Sequence, residues 1–569
     1  MKSQLLHSTG LLGLIGLVLA PAAHGQSFSA PERVGMSPAP LTQTAPDPHA
    51  TKTFELPSLS DVRHQTAGGA DSTYFTLSTI NITGSTVLKA ADTDRIKARY
   101  IGHPITLSDV TTLQDDLTRL LVSKGYISSG AVIGSQDVSS GILNVQIVEG
   151  RLTGIRTTGV SYLSDTYLAK RLGVSQTRVL SAQDIQSAYQ LMLQNRNIAG
   201  MNAKLLPGDK VGEAVLSVDV KEAPRHSLEV FAASDRSPSV GDIRAGVRGH
   251  YARLLVPGDD ISGEIGHAQG LTDGRFYYTA PVTGNDVALN IYGQASKARI
   301  LDKPLNALDA ISDSLYGGAG VSVPLLTRPG RALTVTTAVD HTRVRTDLLG
   351  VPFSFSAGSV NGITDYSTWR SGINYTFFSN RQSLLVSAMV SHGLGAQKNT
   401  VGVNRGFTYT DLSGQYVRVI TPSGQRLILR GGARLTRSTL YATEMLALGG
   451  DDTVRGYRQN AILGNAGYWG SLEYRLPLSD IVPGKTKSLL AAVSNKTQVG
   501  FFADTGHITR PASVSSVMPR QLSSVGVRAL WAPTEHIQVD VHFAKAKPSI
   551  PARGSFQDRG FGFTIGYRF

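Results

Sequence analysis

From about residue 226 to residue 569, apolar and polar side chains take turns along the chain. Phe561, Phe563, Ile565, Tyr567 and Phe569 share one face of the last run, and Gly560, Gly562, Thr564, Gly566 and Arg568 share the other. Ile537, Val539, Val541 and Phe543 alternate with Gln538, Asp540 and His542, and Leu427, Leu429, Ala433 and Leu435 alternate with Arg426, Arg430 and Arg434. A period of two predicts β-strands with one dry and one wet face. About 16 such runs recur between Gly, Pro, Asn and Asp, and an even number of strands of roughly ten residues is what a transmembrane barrel requires. An arginine facing lipid at mid-bilayer costs about 2–4 kcal/mol, so Arg426, Arg430 and Arg434 are expected to line a wet lumen. Closure of the wall satisfies every backbone polar group in lipid. A soluble propeller would need a blade-length repeat, and none is visible.

The texture upstream is different. Residues 74–152 read as a βααββ unit. Tyr74–Ile82 alternates as a strand, a short helix is expected around Thr93–Tyr100, and a longer one follows Thr106 with Ser108 or Asp109 as its cap. Val110, Leu113, Leu117, Leu120 and Leu121 share one face of that helix. Strands are expected near 131–133 and 142–148. Residues 153–225 repeat the order, with helices near 163–172 and 181–194 and strands near 154–160, 203–206 and 214–220. The ends also match, Val148-Glu149-Gly150 against Val220-Lys221-Glu222, so the two units form a tandem pair. Residues 26–73 are rich in proline and read as linker. Residues 1–25 read as a secretory signal, with an apolar run from Leu11 to Ala20 and small residues before a cleavage point after Gly25. That run is about half the length a membrane-spanning helix needs.

Composition changes this picture little. Hydrophobic residues make up 41% of the 569 and mean hydropathy is −0.05, as expected where only alternate barrel residues meet lipid. The chain holds no cysteine, which removes disulfides, thiol catalysis and cysteine metal sites. The net charge of +13 raises the question of nucleic acid. The basic residues are dispersed through the barrel segment rather than clustered, so no nucleic-acid partner is expected. The 13 histidines are scattered without a metal-ligand pattern. No G-x-S-x-G or H-E-x-x-H occurs, and Ser479–Thr486 has only the ending of a P-loop, so neither an enzyme nor a cofactor is expected.

Two stretches carry the remaining information. Gly449-Gly450-Asp451-Asp452-Thr453-Val454-Arg455-Gly456-Tyr457-Arg458 lies in a long loop, 438–464, between two strands. Phe501-Phe502-Ala503-Asp504-Thr505-Gly506 follows, and its alternation turns Asp504 inward. The pair, Val-Arg-Gly-Tyr and Phe-x-Asp-x-Gly, resembles the signature of the outer-membrane-assembly superfamily. The preceding units resemble its polypeptide-transport-associated (POTRA) domains. Two such units with a 16-stranded antiparallel barrel are similar to the two-partner secretion transporters, the haemolysin and adhesin exporters of Gram-negative bacteria. The resemblance covers residues 74–569.

The resemblance implies an outer-membrane transporter, POTRA domains in the periplasm, that recognises and exports one large unfolded partner protein. It implies that the loop carrying Val454, Arg455, Gly456 and Tyr457 folds into the lumen, where Arg455 meets Asp504 on the wall strand that also carries Gly506, Gly456 supplies backbone freedom and Tyr457 packs the tip against the wall. Tyr567 and Phe569 resemble the signal read by the barrel-assembly machinery, and both also suit a lipid-facing aromatic girdle. Gln194, Leu205 and Pro207-Gly208 fit the pattern of the second unit, and exposed strand edges of the paired units suit capture of an extended chain by β-augmentation. Related transporters often carry an N-terminal plug helix. Here Glu32–Met36 is short and flanked by proline, and Leu59–Gln65 is a weak substitute. The alternatives are an insertase for other membrane proteins, against which two adaptor units rather than five argue, and a porin-type channel, in which those units would lack a purpose.

Overall fold

The computed structural model describes residues 74–569 except 176, 196, 284–285, 303–305, 396–402, 404, 483–490, 495, 512–518 and 551–553. Upstream of residue 74 it describes only the backbone of three strand dipeptides, Leu12–Gly13, Pro31–Glu32 and Phe54–Glu55. The expected signal segment, linker and weak plug segments otherwise lie outside the described residues. The chain divides into two units, 46–224 and a second that contains 225–569.

Residues 74–224 hold two small α+β modules. In the first, β1 (Phe75–Thr76) and β2 (Thr79–Thr83) replace the single expected strand, because the chain breaks at Leu77-Ser78. Then come α1 (Ala90–Lys97), β3 (Pro104–Ile105), α2 (Leu107–Ser123), β4 (Gly130–Val132) and β5 (Ile142–Val148). Strand β5 is central, parallel to β2 and antiparallel to β4. Its period of two puts Leu143, Val145 and Ile147 against Val110, Leu113, Leu117 and Leu121 of α2. The cap of α2 is Thr106 rather than Ser108 or Asp109. The extended Pro104–Ile105 leads straight into it, and Asp109 is the returning member of a capping box. The Thr106 amide and hydroxyl donate to the Asp109 carboxylate at 2.7 and 2.8 Å and hold its pKa below the usual range.

The second module repeats this with β6 (Arg151–Thr158), α3 (Asp165–Arg171), α4 (Ala182–Leu193), β7 (Ile198–Pro207) and β8 (Glu213–Glu222). Strand β8 is central, parallel to β6 and antiparallel to β7. The repeat extends to a side chain. Glu149 accepts the amides of Thr86 and Val87, and Glu222 accepts those of Ser161, Tyr162 and Leu163. In each module a glutamate at the end of the central strand (Glu149 just after it, Glu222 as its last residue) gathers the loop before the first helix. The equivalent of Glu149 is therefore Glu222, not Lys221 as alignment of the module ends suggests.

Residues 226–568 form a closed antiparallel barrel of 16 wall strands, β9 (His226–Ala233) to β24 (Phe561–Arg568), with two short extra strands at Val351–Pro352 and Leu446–Leu448. Strand β24 pairs back onto β9 and closes the wall. Leu315, Val339, Ile373, Leu412, Leu429, Phe501 and Ile565 point outward and are exposed, the surface expected of a wall that meets lipid. Among the described residues no helix is long and apolar enough to cross a membrane. The inner face is polar and densely ion-paired. Arg236, Arg244, Arg370, Arg434, Arg455, Arg458 and Arg475 are all buried, each beside a carboxylate. Alternation places charge inward, and the enclosed wall then makes unpaired charge costly, which is why each of these seven guanidiniums stands beside a carboxylate.

Candidate functional site

The loop between β19 (Arg426–Leu435) and β20 (Ile462–Pro477) runs over 436–461. Residues 462–464, assigned to the loop by sequence, already belong to the wall strand. Counting strands from β9, the loop leaves the barrel at the end opposite His226. It then turns inward. The Thr453 hydroxyl accepts the Gly449 amide at 2.9 Å and the Gly450 amide donates to the Val454 carbonyl at 3.1 Å, making a compact tip. Val454 is completely buried in a cluster with Leu448, Ile508 and Leu522. A Cβ on Gly506 would lie 3.1 Å from Val454 Cγ2 and 2.9 Å from Leu448 Cδ1. The glycine of Phe-x-Asp-x-Gly is thus the seat of the loop valine.

Arg455 is the anchor. Its Nε and Nη2 donate to the two oxygens of Asp504 at 2.8 and 2.9 Å, and its backbone N–H donates to Oδ2 at 3.0 Å. Nη1 donates to Glu473 Oε2 at 2.8 Å and Nη2 to Ser471 Oγ at 3.1 Å. The guanidinium carbon stands 3.4 Å from the centre of the Phe502 ring, a cation–π contact on top of a bidentate pair. Asp504 and Phe502 face the lumen from β21 (Thr497–Pro511), while Phe501, which precedes Phe502, is exposed on the outer face. Gly456 follows at φ +87°, a conformation that disfavours any side chain, and a Cβ there would come 2.8 Å from Ala544 Cβ. Tyr457 donates to the Pro548 carbonyl at 2.8 Å, with the Ser523 carbonyl at 3.1 Å.

Glu473 is a member of this site that motif reading missed. It lies opposite Arg455 and also binds Arg475, at 2.5 Å, and Arg528, at 3.6 Å. Arg528 in turn pairs with Asp540. Three guanidiniums (455, 475, 528) and three carboxylates (473, 504, 540) therefore balance. The only sequence sign of Glu473 is its inward parity between Leu472 and Tyr474. A second anchor holds the rising arm of the loop. Glu444 binds Arg370 Nη2 at 2.9 Å and accepts from the Tyr366 and Tyr409 hydroxyls, while Arg370 Nε reaches Asp340 at 2.8 Å. A third lies past the motif, where Arg458 binds Asp558 at 2.5 Å and Asp302 at 3.0 Å.

The three arginines read as lumen-lining have different surroundings. Arg434 is buried, paired with Asp411 at 2.5 Å, donates to the Glu444 carbonyl and stacks 4.1 Å from the Tyr409 ring centre. Arg430 reaches the Asp451 carbonyl at 3.5 Å. Arg426 is half-buried on the same face of β19. Tyr567 and Phe569 are not part of this site. They stack edge-on with ring centres 5.0 Å apart and are exposed outside the wall. Leu205 is a core residue of the second module and Gln194 caps α4. Among the described residues no group of His, Asp and Glu has a metal-holding arrangement.

Comparison with known proteins bears on both halves of the chain. The ShlB-type POTRA domain model matches residues 75–150, and the model of the haemolysin secretion/activation protein family ShlB/FhaC/HecB matches residues 357–528. The outer membrane transporter CdiB of Escherichia coli is 24% identical over 416 residues, which are 71% of this chain and 69% of that protein. The heme/hemopexin transporter protein HuxB of Haemophilus influenzae is 21% identical over 395 residues, 67% of this chain and 68% of that protein. The solved structure of CdiB from Escherichia coli superposes with a TM-score of 0.65 at 19% identity, covering 89% of this chain and 93% of that one; at that identity the likeness speaks for the fold.

Proposed function

Because the chain belongs to the ShlB/FhaC/HecB family of outer-membrane two-partner secretion transporters, and so exports a large secreted partner protein across that membrane, we propose that its inward loop is the gate of the export path. The carrying observation is the anchorage of Arg455 to Asp504 and Glu473 inside the barrel. A loop held across a lumen by buried ion pairs occupies space that an extended polypeptide needs, and it has to leave its wall contacts for the chain to pass.

In this reading, residues 74–222 receive the unfolded partner in the periplasm, and an open sheet edge such as β2 pairs with it as an added strand. No nucleotide is at hand there, so folding of the cargo outside draws it forward. Outer-membrane lipid covers the exposed apolar face of the wall, and the barrel-assembly machinery reads the terminal Tyr567 and Phe569 during biogenesis. The basic residues serve the lumen network rather than nucleic acid, and transport rather than catalysis is the activity. Arg455→Ala tests the gate. The barrel should still assemble, judged by its heat-modifiable migration, while secretion of the partner falls and resting pore conductance rises. Unchanged secretion and conductance in an assembled barrel would refute the assignment.

A further inference from the structure

The wall closes through its shortest-paired seam. Strand β9 meets β24 only over Glu229–Ala233 against Thr564–Arg568, whereas β9 meets β10 (Arg244–Ala252) along its whole length. At the end of the barrel where the loop enters, strand pairing gives way to side chains. The Ser234 amide donates to the Phe563 carbonyl at 2.9 Å and the Phe563 amide donates to Ser234 Oγ at 2.8 Å. Just beyond lies Gln557, in the 3-10 turn Gln557–Arg559 that precedes β24. Its Nε2 donates to the carbonyls of Ser234 at 2.9 Å and Arg236 at 2.5 Å, and its Oε1 accepts the Gln459 amide at 2.8 Å. Both amide hydrogens thus go to the exit of the first strand, and the oxygen goes to the loop. The neighbouring Asp558 takes Arg458 of the same loop through two bonds, at 2.5 and 2.6 Å. Gln557, Gln459, Ser234 and Arg236 are all buried, so water does not replace these bonds while the loop is docked.

We propose that Gln557 is a positioning residue that couples the loop to the seam: it latches the first strand to the last only while the loop tip is docked, so that release of the loop loosens the wall between β9 and β24. The idea rests on the reading of the loop as a mobile gate. A side-chain amide has one acceptor group and two donors, and here all three are committed to two elements that otherwise share no strand pairing. Withdrawal of Gln459 removes one of the three restraints that orient the amide. Withdrawal of Arg458 removes the partner that holds the turn carrying it. The seam then keeps only its short backbone ladder and the Ser234–Phe563 bonds at this end.

The test is hydrogen–deuterium exchange on the full-length barrel in detergent, read at the Ser234 and Phe563 amides, with amides of the hairpin β14 (Ile311–Arg328) to β15 (Arg331–Leu348) as the internal reference. Gln557→Met keeps the shape of the side chain and loses all three bonds. It should speed exchange at the seam on the order of tenfold, the scale of one or two lost hydrogen bonds, and leave the hairpin unchanged. Gln557→Glu keeps the acceptor for Gln459 and loses both donors. It should speed the seam alone, with loop amides unaffected, and it carries the test if the Met variant fails to assemble. Arg455→Ala should also speed the seam, but add nothing in the Gln557→Met background. Wild-type exchange at Ser234 and Phe563 in both Gln557 variants, or equal acceleration of the hairpin, overturns the latch. Secretion is scored separately: normal secretion by Arg455→Ala counts against the gate, whereas the seam result counts only for or against the latch.

Discussion

Glu473 gives the most discriminating prediction, because it is the hub of the anchor. Its two oxygens serve Arg455, Arg475 and Arg528, whereas Asp504 serves Arg455 alone among the ion pairs of this cluster. Glu473→Gln keeps volume and one acceptor but turns a balanced set of three guanidiniums and three carboxylates into three against two, with Glu473 itself 2% exposed. Breaking a buried pair leaves a desolvated charge unmatched and costs about 3–5 kcal/mol. Water in the lumen relieves part of this, so the lower end, about 3 kcal/mol, is the working figure, roughly a hundredfold in the docking equilibrium. Asp504→Asn should cost less, about 2 kcal/mol, the scale of a weakened charge-assisted bond, because Arg455 retains Glu473. The assay is exchange of the Arg455 backbone amide, which is bonded in the docked loop, alongside pore conductance. Glu473→Gln should exceed Asp504→Asn in both. The reverse order, or no effect of Glu473→Gln, would refute the claim that this glutamate organises the site.

Further outcomes follow from the same geometry. Gly456→Ala places a side chain at φ +87° against Ala544 and should undock the loop tip by about 1–2 kcal/mol, seen as faster protease cleavage within 449–460 in intact barrels. Glu444→Gln should free the rising arm through loss of its pair with Arg370, by about 3 kcal/mol, and expose 436–448 to protease without moving Arg455. Thr106→Ala should weaken α2 by about 1 kcal/mol, read by exchange of its amides. The folded-state pKa of Asp109 is lowered by bonds from Thr106, so its contribution is complete above the unfolded carboxylate pKa of about 4. That contribution is lost as pH falls from there through the folded value. Acid should therefore loosen α2 in the parent chain and have less effect in Thr106→Ala.

The alternation that makes the wall is written plainly in the chain, because each strand needs only a local period of two to choose its lipid face. Leu429 outward and Arg434 inward follow from that alone, as does the inward turn of Asp504 after the outward Phe501 and Ala503. What local pattern omits is who meets whom. Glu473 was readable as an inward charge, but its three arginines stand on the loop, on its own strand and on β22 (Gln521–Trp531), and their convergence depends on the stagger of hydrogen-bond registers around the barrel. Glu444 and Arg370 are 74 positions apart, and Gln557 reaches back 321 positions to Arg236; no window on the sequence contains either pair. In the first module the missed cap, Thr106, has a similar origin: the extended Pro104–Ile105 fixes where the helix begins, and helical periodicity alone locates that point only to within a residue or two.

The gate itself can be locked. The chain has no cysteine, so a disulfide between Val454→Cys and Gly506→Cys, whose positions are in contact in the docked loop, would be unambiguous. If the loop must leave the wall for cargo to pass, oxidised transporter should assemble normally and fail to secrete its partner, with secretion returning on reduction. Secretion at the parent rate with the disulfide fully formed would contradict the account.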